Sequence, residues 1–358
     1  MEYLKLSNGL LIPQLGFGSA YTKSDDIVNA ILVGYRHIDC AQSYGNEEEV
    51  GKALKYCFDN GIVKREELFI TTKLNAHKET SYDIAKTALE ESLRKLNIDY
   101  VDQYLIHAAN MFPDDRWKEL NKNIYRALEE LYDAGIVKSI GVSNFMEHHL
   151  EELLKSARIK PMINQIELSP FWQQKSLVRF CKENDILLSA WSPLGCGKYL
   201  SKSDIIKVAQ KYNKSGAQLI IRHGLQKGYV VLPKTVNKDR MIQNLDVFDF
   251  IIDKNDMEFL DSLNSNPLHN FTPDSFYYVY WQSDLLNIRP VKIKYKLFNK
   301  ITLLKVLQVS EDKKKYYLFG FIKIWSEKIV KNGKTSIPFI YKSIREGCFT
   351  PKNLPPMN

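Results

Sequence analysis

Four side chains within the first 107 residues, Asp39, Tyr44, Lys73 and His107, are of the types that deliver a proton to a polarised oxygen. Three of them close a short apolar run: Arg36–Asp39, Leu68–Lys73 and Val101–His107. Tyr44 follows just past the first of these runs. An unperturbed phenol titrates near ~10, too high for easy proton exchange around neutrality. A cation beside it favours phenolate, so Lys73 near Tyr44 is expected to lower that pKa. A buried lysine in turn needs a counter-charge, which Asp39 can supply. His107 is suited to hydrogen-bond a substrate oxygen and orient it. Such a group would protonate a carbonyl oxygen while hydride reaches the carbon. No side chain donates hydride, so a nicotinamide cofactor is implied. Any one of the four reads more readily as a surface ion pair or a satisfied core histidine. Together, from three consecutive strand–helix units, they are much harder to dismiss.

The elements that must position these residues alternate along the chain. Further apolar, strand-like runs are Ile136–Val142, Met162–Ile166, Ile186–Ala190 and Tyr229–Leu232, and Leu15–Gly18 makes an eighth. Between them lie helical stretches near 25–33, 46–59, 81–96, 117–134, 147–156, 174–184, 216–227 and 238–247. In the third, Ile84, Ala85, Leu89, Ser92, Leu93 and Leu96 recur at the spacing of a helix packed on one side. Gly61 and Gly135 stand where helix C-caps are wanted. Strand–helix alternation predicts a parallel sheet with right-handed crossovers, and residues 1–265 fit an α/β fold of the (β/α)8 TIM-barrel type. Chemistry then belongs at the C-terminal ends of the strands. A doubly wound open sheet is the rival, but Gly16-Phe17-Gly18 alone is too weak a signal for a dinucleotide-binding turn.

Composition narrows the class. The 358 residues are 44% hydrophobic and 26% charged, which excludes disordered and low-complexity chains. No run approaches the roughly eighteen apolar residues of a spanning helix, so no integral membrane segment is expected. The N-terminus lacks the features of a secretory signal. Five cysteines (Cys40, Cys57, Cys181, Cys196, Cys348) form no C-x-x-C pair, which argues against a disulfide framework and a zinc site and for a reduced, cytoplasmic protein. No metal site is expected, and His148-His149 reads as helix surface. The net charge of +8 is uneven: from Trp281 to Asn358 there are 16 Lys and Arg against 5 Asp and Glu, a surplus of 11, while residues 1–280 carry a net −3.

The stretch Arg36-His37-Ile38-Asp39-Cys40-Ala41-Gln42-Ser43-Tyr44-Gly45-Asn46-Glu47 closely resembles the aldo-keto reductase signature. Further segments are similar in the same order: Ile70-Thr71-Thr72-Lys73, Tyr104–His107, Gly141–Phe145, Asn164-Gln165-Ile166-Glu167, Trp191-Ser192-Pro193-Leu194 and Leu232-Pro233-Lys234-Thr235. The resemblance covers roughly residues 5–275. It implies a TIM barrel over 1–275, a catalytic tetrad of Asp39, Tyr44, Lys73 and His107, and NADPH-dependent reduction of a small-molecule aldehyde or ketone. A histidine rather than a glutamate at position 107 matches carbonyl reduction. By the same resemblance Ser143, Asn144 and Gln165 hold the nicotinamide carboxamide, and Trp191, where the family usually has tyrosine, stacks on the ring, with Ser192 and Leu194 following in the same cofactor loop. Lys234, Thr235, Val236 and Arg240 grip the adenosine 2′-phosphate, and Asn244 contacts adenine.

The substrate side departs from the family. Ala20 stands where many members have tryptophan, and Ala108-Ala109 replace a common Trp-Pro. A wider pocket follows, with Tyr21, Met111, Phe112 and Trp117 in its lining (Trp117 reads equally as a helix-start core residue) and a C-terminal loop near 266–276 (Pro267, Phe271, Phe276) shaping it. The resemblance does not cover residues 281–358. There Val291–Leu297 alternates apolar residues with lysine, Tyr316–Trp325 is strand-like, and Asn332-Gly333 offers a hairpin turn before Ile337–Tyr341. A small, basic, β-rich appendage is expected. Its lysines read as a solvated strand face in preference to a nucleic-acid or anionic-membrane surface. An alternative function is a nucleotide-binding regulatory or adaptor protein that acts through this extension. A structural protein with a relic site is disfavoured, because nothing structural requires both tetrad and phosphate loop.

Overall fold

The computed structural model describes residues 1–76, 80–109 and 115–265, and the backbone of 304–310, 313–318 and 322–328. The chain divides into two compact units, Met1–Pro273 and Asp274–Asn358.

The first unit opens with a short antiparallel hairpin, β1 (Tyr3–Lys5) and β2 (Leu11–Pro13), which the sequence reading passed over. Eight parallel strands follow in unbroken order: β3 (Phe17–Gly18), β4 (His37–Asp39), β5 (Phe69–Leu74), β6 (Gln103–Ile106), β7 (Ile140–Ser143), β8 (Ile163–Glu167), β9 (Leu187–Trp191) and β10 (Val230–Leu232). The last returns to the first. Gly16 N donates to Val231 O at 2.9 Å, Val231 N to Gln14 O at 2.8 Å and Gly18 N to Pro233 O at 3.1 Å, which closes the sheet into a (β/α)8 barrel. Close packing at this seam explains Gly16: a Cβ there would collide with Leu232 and with the His37 ring.

Ten helices surround these strands among the described residues: α1 (Ser24–Val33), α2 (Glu47–Asp59), α3 (Tyr82–Leu96), α4 (Arg116–Asp133), α5 (Glu147–Leu154), α6 (Lys175–Glu183), α7 (Ser203–Lys211), α8 (Gly216–Gln226), α9 (Lys238–Leu245) and α10 (Lys254–Ser262). Eight lie where the sequence places them; α7 and α10 are additional. Their limits have local causes. The Ser81 hydroxyl accepts from Ile84 N to start α3, and Asn97 in the left-handed region ends it. Ser215 and Gln218 form a reciprocal capping box on α8. The buried stripe of α3 is Ala85, Leu89, Ser92 and Leu96, whereas Ile84 is exposed. His149 corrects the expectation of a surface histidine pair. It is buried, its Nδ1 accepts from Met146 N at the start of α5, and Trp117 packs edge-on against it at 4.9 Å. Trp117 is thus engaged in helix packing between α4 and α5.

Inside the barrel the core is partly polar. His37 Nε2 pairs with Thr71 Oγ1 at 3.0 Å, and Thr71 Oγ1 reaches Gln103 Oε1 at 3.3 Å. Burial pushes His37 down to about 4, so it sits neutral in this layer. In the second unit the backbone forms an antiparallel sheet of β11 (Leu304–Ser310), β12 (Lys313–Leu318) and β13 (Ile322–Lys328). The expected single run Tyr316–Trp325 is divided between β12 and β13. The expected strands at 291–297 and 337–341, the Asn332-Gly333 turn, Met111, Phe112 and the 266–276 loop lie outside the described residues.

Candidate active site

The four residues that opened the sequence reading come together at the C-terminal ends of β4, β5 and β6. Lys73, fully buried, donates to Asp39 Oδ2 at 2.7 Å, to Cys40 O at 2.9 Å and to the Tyr44 hydroxyl at 3.1 Å. Its ammonium also lies 4.8 Å from the Tyr44 ring centroid. Tyr44 ends the three-residue turn Gln42–Tyr44, and Gly45 terminates that turn at φ 64°, a conformation that favours glycine. Gln42 pins the turn. Its Nε2 donates to Ala88 O and Ser92 Oγ of α3 at 2.8 and 3.0 Å, and its Oε1 accepts from Asn75 N at 2.8 Å. His107 follows β6 directly, with its ring edge-on to Tyr44 at 5.7 Å and its Nδ1 3.0 Å from Ser43 Oγ.

The electrostatics differ from expectation in one respect. Burial pushes the Tyr44 phenol up to about 12, and the Lys73 ammonium offsets only part of that rise. The sequence shows the cation but not the depth at which the phenol sits, and here desolvation is the larger effect. For Lys73 burial works against the charge, but Asp39 and Tyr44 outweigh it and hold the ammonium up to about 12. Burial, reinforced by Lys73, pushes His107 down to about 3, so its imidazole is neutral.

The residues expected to hold a nicotinamide lie on the next strands. Gln165 on β8 donates from Nε2 to Asp39 Oδ1 at 2.8 Å. Ser143 Oγ, at the end of β7, donates to Gln165 O at 2.8 Å, and Asn144 Nδ2 donates to Ser143 Oγ at 3.1 Å and to His107 O at 3.0 Å. Trp191 closes β9, half-buried, and its indole Nε1 donates to Asn144 Oδ1 at 2.9 Å. That bond orients the broad indole face, a surface on which a planar ring could stack. Ser192, at φ 51°, and Leu194 continue the chain from this platform.

Past β10, Lys234, Val236 and Arg240 are exposed. Asn237 Oδ1 caps α9 by accepting from Arg240 N at 2.9 Å, and Thr235 Oγ1 accepts from Asn237 N at 3.2 Å. Two cations flanking a helix N-terminus suit a phosphate dianion. Asn244 is buried on α9, close to the Tyr35 phenol.

Sequence reasoning missed two groups. Ser43 carries no signal of its pairing with a residue 64 positions away. Glu167 does: two residues after Gln165 on one strand, it shares that residue's face. Burial pushes its carboxyl up to about 8. Elsewhere, a cleft of about 320 Å³ between α6 and α8, bounded by Arg179, Lys227 and Tyr229, contains none of these residues. Among the described residues no cluster of His, Cys, Asp or Glu is assembled for a metal, and no helix is long and apolar enough to cross a membrane.

Comparison with known proteins identifies the family. The Aldo/keto reductase family model matches residues 16–265. Glyoxal reductase from Bacillus subtilis (strain 168) is 43% identical over 278 residues, covering 76% of this chain and 96% of that protein. Methylglyoxal reductase DkgA from Escherichia coli (strain K12) is 41% identical over 284 residues, covering 76% and 97%. Among solved structures, Bombyx mori aldo-keto reductase in complex with NADP superposes with a TM-score of 0.68 at 33% identity, covering 75% of this chain and 94% of that one. An aldo-keto reductase from a Medee basin deep-sea metagenome library gives a TM-score of 0.68 at 40% identity, covering 73% and 95%. A closed eight-stranded parallel barrel, a buried lysine joining carboxylate to phenol and relatives of this kind lead to one conclusion: the chain belongs to the aldo/keto reductase family, as an oxidoreductase acting on carbonyl groups.

Proposed function

We propose that the protein catalyses the NADPH-dependent reduction of an aldehyde or ketone to an alcohol, with Tyr44 as the proton donor. The observation that carries this reading is the Tyr44 hydroxyl held 3.1 Å from a buried ammonium that Asp39 neutralises. A reduced nicotinamide held there would supply the hydride to the carbonyl carbon. Tyr44 supplies the proton to the carbonyl oxygen. With its pKa raised to about 12, the phenol holds that proton throughout the neutral range, and Lys73 stabilises the phenolate left behind. Neutral His107 orients the carbonyl oxygen beside Tyr44. Asp39 keeps Lys73 charged.

Trp191 provides the stacking face, and Ser143, Asn144 and Gln165 present amide and hydroxyl groups to the nicotinamide carboxamide. Ser192 and Leu194 border the cofactor beyond the platform. Lys234, Thr235, Val236 and Arg240 select NADPH over NADH by holding its 2′-phosphate, and Asn244 borders the adenine end from within α9. Since the relatives named above reduce glyoxal and methylglyoxal, small 2-oxoaldehydes are the first substrates to try. Residues 1–275 contain the whole reaction, and 281–358 form a separate basic module. Among the described residues Cys40, Cys57, Cys181 and Cys196 form no disulfide, in keeping with a cytoplasmic setting.

The test compares wild type with Tyr44→Phe by the rate of NADPH consumption with methylglyoxal and with an aromatic aldehyde. Turnover should fall by about 10²–10⁴-fold, while quenching of tryptophan fluorescence shows NADPH still bound in both. A phenylalanine variant as fast as wild type would overturn the assignment.

A further inference from the structure

The turn that delivers Tyr44 also carries Ser43, whose Oγ lies 3.0 Å from Nδ1 of His107. The rest of His107 is already held: its amide donates to Leu74 O at 3.1 Å, and its carbonyl accepts from Asn144 Nδ2 at 3.0 Å. What the backbone leaves open is the ring. A neutral imidazole carries one proton on one of two nitrogens, and the hydrogen bond made by one nitrogen decides the state of the other.

The Ser43 hydroxyl makes its one hydrogen bond among the described residues to this nitrogen. Were Nδ1 protonated, it would donate to Oγ and leave the hydroxyl proton without a protein acceptor. With Oγ donating, one bond satisfies both the hydroxyl proton and the Nδ1 lone pair, which is the cheaper arrangement at a half-buried site. The turn cannot drift from this position, because Gln42 ties it to α3 and to Asn75.

We propose that Ser43 is a positioning residue: it donates to Nδ1 of His107 and so keeps the imidazole proton on Nε2, which donates to the substrate's carbonyl oxygen. The role toward substrate rests on the reductase reading above; the pairing itself does not. One short turn then sets two protons, with Tyr44 against Lys73 and Ser43 against His107.

The test uses full-length protein labelled with 15N-histidine. Long-range 1H–15N spectra separate protonated from bare ring nitrogens, and the His107 signals are those lost in His107→Gln. In wild type Nε2 should be protonated and Nδ1 bare. In Ser43→Ala both tautomers should appear, and kcat should fall on the order of tenfold, the loss of one neutral hydrogen bond. NADPH affinity should not change. Ser43→Thr, which keeps the hydroxyl, should restore the spectrum and most of the rate. A proton on Nδ1 in wild type, or an alanine variant with the wild-type spectrum, would overturn the inference. The expected spectra from a protein that turns over no carbonyl would uphold the pairing and sink the reductase reading instead.

Discussion

Replacing Asp39 with asparagine removes a charge while keeping the shape, at a point where both carboxylate oxygens are in use. Oδ1 accepts from Gln165 Nε2 at 2.8 Å and Oδ2 from Lys73 Nζ at 2.7 Å. An amide offers an acceptor at only one of these places, so its NH2 group must face either the ammonium or the Gln165 amide nitrogen. Lys73 is 0% exposed, and water cannot replace the lost partner. Removing one member of a buried pair costs about 3–5 kcal/mol. At roughly 2–4 °C per kcal/mol for a domain of this size, Tm should fall by about 6–20 °C. Lys73→Met should cost a similar amount, because it strands the carboxylate. The double variant buries neither charge, so it should melt above Asp39→Asn alone. Thermal unfolding of all four proteins, followed by far-UV circular dichroism, completes the cycle. An Asp39→Asn protein that melts with wild type, or a double loss equal to the sum of the single losses, would refute the buried-pair account.

Three other outcomes are expected. Burial holds His37, His107 and His149 down to about 4, 3 and 3, against an unfolded value near ~6.5, so stability should rise with pH up to that point. Glu167 acts with the opposite sign: raised to about 8, it keeps a proton in the fold that the unfolded chain has lost. Above roughly pH 6.5 its effect should dominate, at up to about 1.4 kcal/mol per pH unit. Tm should therefore decline from there to pH 8 in wild type and stay level in Glu167→Gln; a level wild-type profile refutes this. Lys234→Met and Arg240→Met should each weaken NADPH binding by about tenfold and leave NADH unchanged, as one charge-assisted bond is lost. Fluorescence titration checks this, and unchanged NADPH affinity in both would refute the phosphate assignment. Finally, a methyl added at Gly51 would run into the Lys95 carbonyl oxygen where α2 meets α3, at a cost of about 3 kcal/mol. Gly45→Ala meets open space, and only its φ of 64° opposes the change, so it should cost about 1–2 kcal/mol. Urea midpoints in the reverse order would refute this.

Legibility in the sequence followed how local each feature is. The eight barrel strands announced themselves as apolar runs bounded by polar helices, and the tetrad stood at their ends because parallel strands all point one way. The β1–β2 hairpin escaped because its strands are three residues each, although Asn8-Gly9 between them is a turn signal. Helices α7 and α10 escaped because they interrupt or follow the strand–helix rhythm. In the site, residue identities were readable but the competition between them was not. Whether Lys73 or burial governs Tyr44 depends on depth, which no spacing encodes.

The seam between the first and last barrel strands has a consequence for cooperativity. Three backbone bonds join them, and one strand, β3, is only two residues long. Every other neighbouring pair in the ring is linked by a helix packed over it, but this pair is separated by most of the unit's sequence. Its closure is therefore the contact of highest loop entropy in the barrel. Lys234 stands one residue beyond Pro233, whose carbonyl receives the Gly18 amide. A ligand bound at Lys234 would therefore lie beside the closure that is most costly to make. If that loop is a ligand site, its occupancy would add to the stability of the closed barrel.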